Sequence, residues 1–146
     1  SETLLKVASK IVQIQERFFD QGIEKLKPLT LREIAESIDI HESTVSRITS
    51  NKYIGTPRGN YQLKFFFSSA VKSLDLGNTF SSKSVQFKIK KLIENEKREK
   101  PLTDNDLVRL LKEKGIKIAR RTITKYRKKL RILDSLKRKR AELPKN

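Results

Sequence analysis

Ala119-Arg120-Arg121-Thr122-Ile123-Thr124-Lys125-Tyr126-Arg127-Lys128 is the stretch on which the reading of this chain turns. No acidic residue lies between Glu113 and Asp134, while Lys117, Arg120, Arg121, Lys125, Arg127, Lys128, Lys129 and Arg131 are all basic. Ala119, Ile123, Tyr126, Leu130 and Leu133 recur at alternating spacings of four and three, the period of one buried helical stripe. With Ile123 turned to a core and about 100° of rotation per residue, Arg121, Lys125 and Lys128 fall on the opposite face. Arg120 and Thr124 fall on one flank. A packed helix with a rigid basic outer face suits the DNA major groove, which admits an α-helix and offers guanine acceptors to Arg and Lys. A solvated basic face on an ordinary helix has the same pattern, so the choice needs context.

Charge supplies part of it. The chain of 146 residues carries a formal net charge of +17, an electrostatic footprint for a polyanion. Residues 86–146 hold 22 Lys/Arg against 8 Asp/Glu, whereas residues 1–85 hold 12 against 9. The second part is therefore the main electrostatic anchor. A basic RNA-binding or nucleoid-type protein has a similar balance, and remains the alternative. RNA readers, however, display aromatics for stacking on bases, while Tyr126 lies on the core stripe and Phe65, Phe66 and Phe67 read as buried mass. The chain has no Cys, which excludes a disulfide frame or zinc finger and fits a cytoplasmic location. No apolar run is long enough for a membrane span, so no membrane partner is expected. A helical pattern already under way at Ser1 gives the expectation of a piece of a longer protein.

The chain reads as all-α. Leu4, Val7, Ala8, Ile11, Ile14, Gln15 and Phe18 predict one long amphipathic helix from about Glu2 to Asp20, ending near Gly22. Thr30 with Glu33 predicts a capped second helix, with Leu31, Ile34, Ala35 and Ile38 inward. After a tight break at Asp39-Ile40, a third helix runs from His41 to about Ser50 with Val45 and Ile48 inward. Lys52–Asn60, containing Gly55, Pro57 and Gly59, reads as loop, and Leu63–Val71 as either helix or strand. Residues 73–84, with Gly77, Asn78 and several Ser, read as a flexible linker. Val85, Ile89, Leu92 and Ile93 mark the next helix. Thr103 with Asp106 caps another, carrying Leu107, Val108, Leu110 and Leu111, and Gly115 ends it. The Ala119–Lys128 helix follows, and Lys137-Arg138-Lys139-Arg140 with the Pro144-containing end reads as a frayed basic tail.

Lys27-Pro28-Leu29-Thr30 recurs as Lys100-Pro101-Leu102-Thr103. Each copy opens a capped helix, a break and a second helix with exposed cations. The expected architecture is two small helical domains, 1–72 and 85–146, each with a helix-turn-helix, joined by the linker 73–84. Asp39 stands where such turns usually carry Gly, and Asp tolerates the left-handed geometry the turn needs. On the second helix of the first unit Glu42, Ser43, Ser46 and Arg47 sit where such motifs meet base edges. A protein-interaction module with Glu42 merely stabilising a helix start is the other reading of that unit.

The quoted stretch resembles the RpoN box of the nitrogen-type (sigma-54) bacterial sigma factors, whose pattern is Ala-Arg-Arg-Thr-Val-Ala-Lys-Tyr-Arg-Glu. Ala119, Arg120, Arg121, Thr122, Lys125, Tyr126 and Arg127 match. Ile123, Thr124 and Lys128 depart from it, standing for Val, Ala and Glu. Thr56-Pro57-Arg58-Gly59, Phe66-Phe67-Ser68-Ser69 and Lys90-Lys91-Leu92-Ile93 are similar to family sequence too. The resemblance implies double-stranded promoter DNA as partner. Residues 85–146 would read the upstream GG (−24) element, and the first helix-turn-helix, at the end of the domain that binds core RNA polymerase, would face the downstream GC (−12) element. An activator ATPase would act through an N-terminal region that this sequence lacks. Base contacts are then expected from Arg120, Arg121, Thr124, Lys125, Glu42, Ser43, Ser46 and Arg47, and phosphate contacts from Lys117, Thr122, Arg127, Lys128 and Lys129.

An enzyme is not expected, and neither is a cofactor or a bound metal. His41 is the one histidine, at a helix start, and no Ser has a recognisable base partner. Of the acids a nuclease needs to hold metal ions, Asp75 falls in the linker and Asp104 and Asp106 in a cap sequence.

Overall fold

Gln15 interrupts the helix that the apolar period predicts as continuous. In the computed structural model, which describes residues 1–74 and 79–141, α1 (Glu2–Ile14) and α2 (Glu16–Gln21) meet at this residue, with φ −96° and ψ 24°. The Gln15 side chain is fully buried and donates to the Lys27 and Phe66 carbonyls at 2.9 and 3.1 Å. Its Oε1 accepts the Lys27 amide at 2.9 Å. Breaking the helix turns that amide inward, where it satisfies backbone groups that burial would otherwise leave unpaired.

Thr30 Oγ1 accepts the Glu33 amide at 3.1 Å and starts α3 (Leu31–Ile38) as expected. The helix ends on Asp39 at φ 57°, ψ 53°, the left-handed geometry anticipated for this turn, and α4 (Glu42–Thr49) follows. Ile34, Ala35 and Val45 are buried with Val7, Ile11 and Phe18 in one core.

The stretch expected to be loop, 52–60, instead begins a β-hairpin. β1 (Tyr53–Thr56) pairs antiparallel with β2 (Gly59–Gln62), Tyr53 opposite Gln62 and Thr56 opposite Gly59. The fold is thus mostly helical with a two-stranded sheet, not all-α. Thr56 closes the turn, its Oγ1 accepting the Arg58 amide at 3.1 Å and donating to the Gly59 carbonyl at 2.8 Å. Gly59 adopts φ 121°, which an L side chain rarely takes. The tip has work of its own. Arg58 donates to the Phe19 and Asp20 carbonyls at 3.2 and 2.6 Å, satisfying the open end of α2. Leu63–Phe66 is a short 3₁₀ helix, the helical one of the two forms expected, and it delivers Phe65 and Phe66 against Phe18.

Among the described residues, 1–70 with 80–84 form one compact unit, and 71–74 with 79 and 85–141 form a second. Part of the predicted linker is ordered. Ser81, Ser82 and Ser84 are buried, Ser81 Oγ accepts the Ser84 amide at 3.1 Å, and α5 (Ser82–Glu94) begins there. Ser82 also meets Ser68 and Ser69, hydroxyl to hydroxyl, at 3.3 and 3.1 Å. A serine run that reads as flexible by composition here supplies a cap and a polar contact. Asp75, Gly77 and Asn78 of that linker, and the Pro144-containing end, lie outside the described residues.

The second unit continues with α6 (Asp104–Glu113), α7 (Arg120–Lys129) and α8 (Ser135–Ala141). Val85, Ile89, Leu107, Leu111, Ile118, Ile123 and Tyr126 are buried as expected, and Ile116 joins them. Leu133 does not extend the stripe: α7 has ended, Arg131 turns to φ 60°, and Leu133 is 52% exposed. Residues 137–140 are helix, not frayed tail.

Candidate nucleic-acid interface

The two helices of the second unit begin in opposite ways. Thr103 and Asp106 form a full capping box on α6, with Thr103 Oγ1 accepting the Asp106 amide at 3.0 Å and Asp106 accepting the Thr103 amide at 2.9 Å. α7 starts on Ala119, whose side chain caps nothing, and its first turn carries Arg120 and Arg121 with no acid. Cations at a helix start oppose the macrodipole. The unsatisfied amides and the two guanidinium groups together make a strongly anion-seeking end.

Asp104, in the first turn of α6, holds α7 in place. Arg127 Nε donates to Asp104 Oδ1 at 2.9 Å and its NH2 group to Oδ2 at 3.2 Å, while NH1 reaches the Ile132 carbonyl at 2.9 Å. Thr124 Oγ1 adds a 2.7 Å bond to Asp104 Oδ2. Burial pushes the Asp104 carboxyl up, but the hydrogen bonds from Arg127 and Thr124, with the Arg127 charge, outweigh it and hold the group below its ordinary range. Burial raises the Tyr126 phenol on the same side of the helix. The inner face of α7 is therefore locked by a bidentate ion pair and by Ile123.

This geometry sorts the predicted residues. Arg120, Arg121, Lys125, Lys128 and Lys129 are exposed, as is Lys117 ahead of the helix, whose carbonyl accepts Ser73 Oγ and the Leu74 amide. Thr122 is half-buried. Arg127, expected at a phosphate, is not a surface cation: its side chain is 7% exposed and every one of its nitrogens is engaged within the protein, two of them on Asp104. Thr124, expected at a base edge, turns to the same carboxylate. The clue was available, since Arg127 stands four residues after Ile123 and hence on the core side. Asp104 gave no such clue, being 23 residues from Arg127.

In the first unit Glu42, Ser43 and Arg47 are exposed on α4 and Ser46 is half-buried. α4 likewise begins without a side-chain cap, on His41. Val45 and Thr49 face inward, Thr49 Oγ1 bonding the Val45 carbonyl at 2.8 Å. Among the described residues no cluster of three or more His, Cys, Asp or Glu is placed to hold a metal ion, and no helix is long and apolar enough to cross a membrane.

The family described as "Sigma-54, DNA binding domain" matches residues 1–140. The chain is 54% identical over 138 residues to the RNA polymerase sigma-54 factor of Acinetobacter guillouiae and 51% identical over 141 residues to that of Caulobacter vibrioides. These matches cover 94% and 96% of this chain but 28% of each relative, so the chain spans under a third of their length. Among solved structures it resembles Aquifex aeolicus sigmaN bound to promoter DNA, with 44% identity and a TM-score of 0.64, over 94% of this chain and 41% of that one. A match running almost from end to end, through both units and the open basic helix, leads to one conclusion: the chain belongs to the sigma-54 DNA-binding domain family.

Proposed function

We propose that this chain is the promoter-binding portion of a sigma-54 type RNA polymerase sigma factor and acts without catalysis or cofactor. The observation that carries the reading is α7, a helix whose inner face is locked by Asp104–Arg127 and whose outer face and uncapped start present Arg120, Arg121 and Lys125. A rigid helix with cations at its open end is what recognition in the major groove requires. The α6–α7 pair serves as a helix-turn-helix with residues 119–128 as the RpoN box, reading the GG (−24) element through Arg120, Arg121 and Lys125. Lys117, Thr122, Lys128 and Lys129 contact phosphates. The α3–α4 pair, turned at the left-handed Asp39, faces the GC (−12) element with Glu42, Ser43, Ser46 and Arg47. Within the whole cytoplasmic protein this portion lies at the C-terminal side, beside the parts that engage core RNA polymerase and the activator ATPase.

The test is binding of the whole chain at fixed salt to a duplex carrying both elements, a scrambled duplex of the same length, and a structured RNA. Preference for the promoter duplex over both competitors is expected. Equal binding to scrambled DNA or tighter binding to RNA overturns the reading.

A further inference from the structure

We propose that α8 is a second, sequence-neutral contact to the DNA backbone, in which Lys137 completes a cationic hollow begun by Lys128 and Arg131 at the end of α7. The proposal rests on α7 being the DNA-facing helix.

A helix of seven residues is too short to be stable by its own hydrogen bonds. Apolar burial does not hold α8 either, since none of its residues is buried and Leu136 is 66% exposed. Polar ties hold it. Asp134 Oδ1 accepts the Lys137 amide at 2.8 Å and the Asp134 carbonyl accepts the Arg138 amide at 2.9 Å. Arg138 then points inward, donating through Nε and NH2 to the two oxygens of Glu96 at 2.7 and 2.9 Å, and to the Leu102 and Leu133 carbonyls at 2.6 and 2.5 Å. Glu96 in turn accepts the Leu102 amide at 2.6 Å. One cation of the run is thus neutralised and used as a pin, while Lys137, Lys139 and Arg140 stay exposed.

The pin fixes Lys137 beside α7. Lys128, Arg131, Asp134 and Lys137 line one hollow of about 330 Å³. Arg127 also borders it, but its charge is matched by Asp104. Against Lys128, Arg131 and Lys137 stands the Asp134 carboxylate, one oxygen of which already accepts the Lys137 amide. The hollow keeps a net positive charge. Lys128 belongs both to this hollow and to the outer face that carries Arg121 and Lys125, so the basic surface of α7 runs on into it. A phosphate fits that chemistry. Ammonium and guanidinium groups spread around a hollow bind phosphate oxygens without regard to base, and each phosphate neutralised releases counterions.

The experiment measures binding of the whole chain across a salt series to a duplex with the GG element and to a scrambled duplex. Lys137→Gln removes an exposed charge and no packing. It should weaken both duplexes by the same factor and reduce the slope of log K against log salt by about 0.9. An unchanged slope overturns the proposal. Glu96→Gln makes the chain more positive, which by charge alone strengthens binding; released from its pin, α8 should instead lose affinity. Unchanged or tighter binding by a folded Glu96→Gln protein overturns the proposal, and if that variant does not fold, Lys137→Gln decides. Arg121→Ala is measured alongside. A larger loss on the GG duplex than on the scrambled one supports the role of α7, so failure of Lys137→Gln then strikes only the α8 contact. Equal loss on the two duplexes overturns the role of α7 and this proposal with it.

Discussion

Arg127 meets Asp104 through two parallel hydrogen bonds of 2.9 and 3.2 Å, so α7 and the helix before it are joined through a carboxylate rather than by apolar packing alone. Bidentate guanidinium–carboxylate pairing fixes rotation as well as distance. The rotation of α7 decides which side chains it presents outward.

Asp104→Ala leaves the buried Arg127 charge without its partner, and should destabilise the chain by about 3 kcal/mol, the lower end for breaking a buried pair. The double variant Asp104→Ala with Arg127→Met removes both charges and should recover most of that loss. Denaturant unfolding of the three proteins checks this. A double variant no more stable than Asp104→Ala would mean that the pair is not the source of the loss.

Thr124→Ala removes one bond to Asp104. It should cost about 1 kcal/mol of stability and leave the ranking of base-substituted duplexes as it was. A changed ranking would return Thr124 to the base-contacting set.

Arg121→Ala should cost about 1–3 kcal/mol of binding and relax preference at one guanine, the size expected for a lost bidentate contact. Binding to a set of single-base variants of the GG element reads this directly. Equal weakening on every duplex would assign Arg121 to phosphate.

Acid should loosen the second unit. The Asp104 carboxyl is held below its ordinary value in the folded chain, so the unfolded state takes up the proton first. Its stabilising contribution is fully present above the unfolded pKa of about 3.9 and is lost as pH falls through the lower folded value. Asp106 and Asp134, also depressed, act in the same direction. Melting temperature should therefore fall below about pH 4, and less steeply for Asp104→Asn. An identical acid profile for that variant would remove Asp104 from the account.

Gln15→Leu fills similar space but pairs with nothing, leaving the Lys27 amide and the Lys27 and Phe66 carbonyls without their side-chain partner. A loss of about 3 kcal/mol in unfolding experiments is expected from stranding buried polar groups. A neutral outcome would show that α1 and α2 meet at this angle for packing reasons alone.

What was legible in the sequence is what neighbours within a turn or two decide. The caps at Thr30 and Thr103, the turn at Asp39 and the outward Arg121, Lys125 and Lys128 follow from spacings of three and four, because capping and helical facing are local interactions. The family resemblance carried by residues 119–128 was legible for the same reason. The rest depended on partners far along the chain. Gln15 meets Phe66 51 residues on, Arg127 meets Asp104 23 residues back, and Arg138 meets Glu96 42 residues back. No local period marks such partners. The hairpin was missed because turn residues alone do not show which flanking segments pair. The sequence by itself determined that α3, α4, α6 and α7 are helices and how cationic the outer face of α7 is. Tertiary structure decided which basic residues keep their charge at the surface, because carboxylates brought close by folding, Asp104 and Glu96, withdraw Arg127 and Arg138 from it.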